Sequence, residues 1–175
     1  MGRVAVFGRE KDLVFDARVN LMKFIVNSIG TNLYRSCYFR KSDGTYVDVC
    51  QDGKFSCAYF PSVALHRVGL IQNIRVTVRS FEDELKLCGW ELYEGDIKKA
   101  PVGSVVFWES KKASDGEIHS HAGFWWGGNQ CVSNHPVKRV PEMHDYLFRY
   151  FGKDCLDCRG RKIEKIYTHP VLLDR

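Results

Sequence analysis

The feature that most constrains this chain is a change of hydrophobic period near Trp90. Before it, apolar residues recur every three or four positions, the spacing of a helix face; after it they alternate, the spacing of a half-buried strand. Leu13, Ala17, Leu21, Phe24, Ile25 and Ile29 predict a helix over 12–29 that Gly30 can stop in a left-handed conformation. Ser56 stands where an N-cap would open a second helix, which continues through Ala58, Tyr59, Val63, Ala64, Leu65 and Val68 to Gly69 and tolerates Pro61 only near its start. Ser80-Phe81-Glu82-Asp83 has the form of a capping box ahead of a third helix with an apolar stripe of Phe81, Leu85 and Cys88. Residues 34–49 read as a hairpin or irregular structure around Ser42-Asp43-Gly44.

Beyond the switch, residues 90–93, 104–108, 118–126, 130–134 and 162–167 read as short strands separated by Pro101, a polar loop over 110–117 and Gly127-Gly128-Asn129. Helices first and strands later, without strand-helix-strand alternation, predict an α+β fold: N-terminal helices packed on an antiparallel sheet. A chain of 175 residues buries about 68–70% of its unfolded surface, so one domain over 1–175 needs no staples. Within it we take 1–49 as a helical extension and 50–175 as the core that carries chemistry.

Composition excludes several classes of function. Seven Cys cannot all pair, and secreted scaffolds use denser, even frameworks, so reduced thiols are expected. No run approaches the roughly 18 apolar residues of a membrane span, and no signal-type apolar run follows the charged start. The expectation is a chain that stays in a reducing, cytoplasmic-type compartment. The net charge of +5 is spread over loops, in Lys98-Lys99, Lys111-Lys112 and Lys138-Arg139, rather than gathered on one face, which argues against a nucleic-acid partner.

Cys57 falls at the start of the second predicted helix. There the dipole and the unsatisfied N–H groups favour a thiolate and can hold an oxyanion; the plainer reading is a small buried hydrophobe. His121 lies on the longest predicted strand, where alternation sets His119, His121, Gly123 and Trp125 on one face. Gly123 leaves room on that face for another backbone or a substrate, and Trp125 is a candidate wall of the substrate groove. With either two-residue turn, Gly127-Gly128 or Gly128-Asn129, Asn134 shares the face of His121 and can orient its imidazole; an odd, three-residue loop instead brings Ser133 or His135 there.

The residues from Phe55-Ser56-Cys57-Ala58-Tyr59 to Leu65 resemble the Cys-bearing helix of the NlpC/P60 and CHAP superfamily of papain-like cysteine peptidases and amidases. Pro101-Val102-Gly103-Ser104-Val105-Val106-Phe107-Trp108 is similar to its "PGDVVFW" strand, with Ser104 in place of Asp. His121-Ala122-Gly123-Phe124-Trp125-Trp126-Gly127-Gly128 through Val132-Ser133-Asn134 is similar to its "HVGIYLG…AISN" hairpin. The blocks stand in the family's order over roughly residues 50 to 135, and Pro61 is a second departure. The resemblance implies a papain-like core that cleaves amide or peptide bonds, mostly of peptidoglycan peptides, with Cys57 as nucleophile, His121 as base and a polar residue such as Asn134 orienting it. No cofactor or metal is implied. The competing function is a catalytically inactive interaction module on the same fold. Cys155-Leu156-Asp157-Cys158 could be half of a zinc site that borrows two of Cys131, His144 and His169, or a redox pair; Cys37, Cys50 and Cys88 read as core, and His66 as a helix-surface residue.

Overall fold

The computed structural model describes residues 13–112, 116–148 and 160–173; the Cys155/Cys158 pair lies outside them. Helix α1 runs Ala17–Ser28, capped by Asp16, whose carboxylate accepts from Val19 N at 2.9 Å. This cap, rather than the apolar pattern, sets the start, and Leu13, Val14 and Phe15 stay exposed ahead of it. A small hairpin of β1 (Tyr38–Arg40) and β2 (Tyr46–Asp48) follows. Helix α2 covers Tyr59–Arg67, with Pro61 in the first turn, where its missing N–H interrupts no helical bond. Helix α3 covers Val78–Leu87. Its cap is Thr77, which accepts from Ser80 N, so Ser80 lies inside the first turn and the predicted capping box begins three positions late.

Strands β3 (Glu91–Leu92), β4 (Val105–Lys112), β5 (Ile118–Gly127), β6 (Gln130–Asn134), β7 (Pro141–Asp145) and β8 (Ile163–Thr168) form an antiparallel six-stranded sheet in the order β3-β8-β4-β5-β6-β7. Over the described residues the fold is thus mixed, with three α-helices and antiparallel sheets, as the period switch predicts. Strand β7 has no counterpart in the alternation reading, because Pro-Glu-Met-His-Asp shows neither β-branched residues nor period two. An edge strand tolerates a proline at its first position, and β7 is an edge.

The sheet separates two apolar clusters. Val105, Phe107, Ala122, Phe124, Val132 and Tyr167 meet the helices, including Leu21, Ile25, Phe60, Ala64, Leu65, Phe81 and Leu85. Leu21, Ile25 and Tyr34 belong to this cluster, so residues from the first 49 are part of the core. On the opposite face Val106, Trp108, Trp125, Cys131 and Ile166 pack with Ile97, Ala100 and Phe148. Among the described residues no helix is long and apolar enough to cross a membrane.

Candidate active site

The segment before α2 is held from several sides. Asp48 accepts from the N–H groups of Cys37, Cys50 and Asp52 at 2.8–3.1 Å, and Asn134 Nδ2 donates to Gly53 O at 2.9 Å. Ser56 does not cap α2: its hydroxyl donates to the buried carbonyl of Tyr34, and the helix starts with no side-chain cap. Phe60 N donates to Ser56 O at 3.0 Å and Pro61 has no N–H, so the N–H that faces the Cys57 sulfur at the helix head is that of Ala58.

The Cys57 sulfur docks on β5 where that strand outruns its neighbour. Strand β6 ends at Asn134, and the thiol donates to Ser120 O at 3.8 Å while the Ala122 N–H faces it from the other side. Sulfur thus abuts the backbone on both sides of His121. Burial pushes the thiol pKa up; the Ala58 N–H, the Arg161 guanidinium and the Ala122 N–H oppose it without prevailing. Cys57 rests as a thiol, not as the thiolate that helix position alone suggests.

His121 is 6% exposed and boxed by rings, with centroids 5.5 Å from Trp108, its cross-strand partner, and 4.5 Å from Phe148. Burial, and next the Arg161 charge, hold its pKa well below the ordinary range, so the imidazole is neutral at pH 7. Its Nε2 lies 2.9 Å from Ser133 Oγ. Ser133 Oγ lies 2.7 Å from His144 Nε2, and His144 Nδ1 lies 2.8 Å from Asp145 O.

Ser133, not Asn134, therefore meets His121. The reason is one extra residue on β5: Gly127 pairs with Gln130 around a Gly128-Asn129 turn with φ of +57° and +67°, but Trp125 pairs with Cys131, leaving Trp126 as a bulge. The shift pairs Gly123 with Ser133 and turns Asn134 to the other face. Matching apolar partners, Phe124 opposite Val132, was the available signal for this register. Gly123 is needed for it, since a Cβ there would stand 2.6 Å from both Ser133 Cβ and Val132 O. The room that Gly123 leaves is thus filled by β6.

The remaining candidates take structural places. His135 Nδ1 accepts from Val137 N and Lys138 N at 3.1 Å each, closing its own turn. Trp125 is 2% exposed and donates to Ala100 O at 3.1 Å, so it fills core and walls no groove. His144 enters the site as a partner of Ser133; among the described residues no cluster of His, Cys, Asp or Glu is arranged to hold a metal ion. Arg161, unremarkable in sequence, donates to His119 O at 2.9 Å and to Glu109 O at 3.2 Å, which fixes its charge beside Cys57 and His121. No family model matches the chain, and neither does any curated protein.

Proposed function

We propose that the protein is a cysteine hydrolase of amide or peptide bonds, with Cys57 as nucleophile, His121 as base and Ser133 as the group that orients the imidazole. The observation that carries this reading is the docking of the Cys57 sulfur against the backbone on both sides of His121, at the head of an uncapped helix. The order Cys, His, polar residue along the chain, and the likeness of the three sequence blocks to NlpC/P60 and CHAP enzymes, support a papain-like core and a peptide substrate of the peptidoglycan type.

The resting pair is a neutral thiol and a neutral imidazole, so the proton moves as attack begins. Ser133 engages Nε2, and Nδ1 is the nitrogen left to accept the thiol proton. Sulfur bonds to the carbonyl carbon, the C=O π pair moves to oxygen, and N–H groups at the helix head such as those of Cys57 and Ala58 stabilise the oxyanion. Collapse breaks the C–N bond, and the imidazolium returns its proton to the leaving amine. Water, deprotonated by His121, then attacks the thioester and releases a carboxylate and the thiol.

The test is alkylation by iodoacetamide near neutral pH, mapped cysteine by cysteine. Cys57 should react faster than Cys88 and Cys131, and His121→Ala should remove the advantage. Equal rates at Cys57, Cys88 and Cys131 would refute the assignment of the nucleophile.

A further inference from the structure

A serine is an unusual third group, because its hydroxyl both donates and accepts. A carboxylate or an amide oxygen beside Nε2 can only accept, and so requires the proton on that nitrogen. A hydroxyl on a free rotor imposes nothing: it can accept from Nε2–H, leaving Nδ1 basic, or donate to Nε2, which puts the imidazole proton on Nδ1. Something must decide the direction.

We propose that His144 is a positioning residue that decides it, fixing the tautomer of His121 through Ser133. The inference rests on the Cys57–His121 reading for its catalytic meaning, but not for its geometry. Direction follows link by link from the far end. The backbone carbonyl of Asp145 can only accept, so His144 Nδ1, 2.8 Å away, carries the proton. In a neutral His144 the Nε2 lone pair is then an acceptor, and Ser133 Oγ, 2.7 Å away, gives it its one hydrogen. Ser133 Oγ is left with lone pairs toward His121 Nε2 at 2.9 Å, so that nitrogen carries the proton and Nδ1 is bare. Burial keeps His144 neutral, with a pKa lowered to about 4.

The fold is built to hold this chain. Strand β7 pairs with β6 so that His144 stands opposite Cys131, diagonal to Ser133 on the same face. The His144 ring lies 4.3 Å from Phe148 and 5.7 Å from Trp108, the rings that also flank His121. Both imidazoles and the hydroxyl between them are buried, where a misdirected hydrogen bond is costly.

The direct test is NMR of isotope-labelled imidazole nitrogens in the intact protein near neutral pH, with no substrate. His121 should show a protonated Nε2 and a bare Nδ1, and His144 the reverse; either tautomer inverted overturns the proposal. The second test uses His144→Phe, which keeps a ring between Trp108 and Phe148 but offers no acceptor. Ser133 should then donate to His121 Nε2, and Cys57 alkylation should fall at least about tenfold, since a wrong tautomer in a catalytic triad can cost far more. Adding Ser133→Ala should restore part of that rate, and His144→Gln, whose amide oxygen can accept, should retain more activity than His144→Phe. A double variant slower than His144→Phe alone would mark His144 as merely structural and overturn the proposal. If His144→Phe does not fold, the wild-type tautomers decide alone. Wild-type Cys57 reacting no faster than Cys88 would defeat the hydrolase reading while leaving the tautomer result intact.

Discussion

The two faces of the same sheet are built on different rules. Toward the helices, Phe107, Ala122, Phe124 and Val132 contribute area and shape, and any apolar group of suitable volume serves the same purpose. On the other face, alternate residues of β5 and β6, with His144 from β7, put His121, Ser133 and His144 inside an aromatic box. There the direction of each hydrogen bond matters as much as its presence. One face can lose packing and keep its chemistry; the other can keep its packing and lose its chemistry.

The widest separation comes from one substitution on each face. Phe124 is fully buried and meets Phe60 edge-on at 5.7 Å, so Phe124→Ala should cost about 3–5 kcal/mol in chemical denaturation. His121→Ala should lower the Cys57 alkylation rate by about 10²–10⁴ if the base acts as proposed. Loss of reactivity in Phe124→Ala while it remains folded would erase the contrast between the faces.

Acid should distinguish them next. His144 has a folded pKa lowered to about 4 from 6.5, so below pH 6.5 the unfolded chain binds a proton that the folded chain refuses. Its stabilising contribution is complete above pH 6.5 and is lost as pH falls toward 4, a change of about 3 kcal/mol at one pKa unit per 1.36 kcal/mol. His121, also lowered by its burial, pulls in the same direction. Glu82, lowered to about 2 by Lys165, Tyr167 and Lys86 against its burial, loses its contribution only below the usual carboxylate range. Denaturation curves of His144→Phe against pH should therefore flatten between 6.5 and 4 and keep their slope below; an unchanged slope would show that His144 is protonated in the folded state.

How much of this was legible depends on whether a signal was local. The helices and five of the six sheet strands follow from period, although neither Ser56 nor Ser80 caps its helix. Strand β7 does not, because its identity comes from pairing with β6 and not from Pro141 to Asp145 themselves. That Cys57 stands at a helix head and His121 on the long strand β5 is legible from period alone. Asn134 was misplaced by one bulged residue, Trp126, invisible to a count of turn residues. Ser56 was misread because its real partner, Tyr34 O, is distant in sequence. Ser133 appeared only as the odd-loop alternative, and His144 only as a spare metal ligand, because a tautomer-setting chain has no sequence motif.

The smallest effect sought is the most discriminating, because it touches both the polar chain and the strand ladder through one atom. At Gly123, an added Cβ meets Ser133 Cβ and Val132 O at 2.6 Å, one of them in the polar chain and the other in the ladder. Neither is the far end of a flexible side chain, so β6 must move away from β5. Overpacking of this kind costs about 1–3 kcal/mol, and Gly123→Ala should show that loss in denaturation. It should also lengthen the Ser133–His121 hydrogen bond, now 2.9 Å, and so lower Cys57 alkylation more than an equally destabilising change on the helix face such as Leu65→Val. Equal alkylation rates in Gly123→Ala and Leu65→Val would mean that the register of β5 against β6 holds up the fold without holding the site.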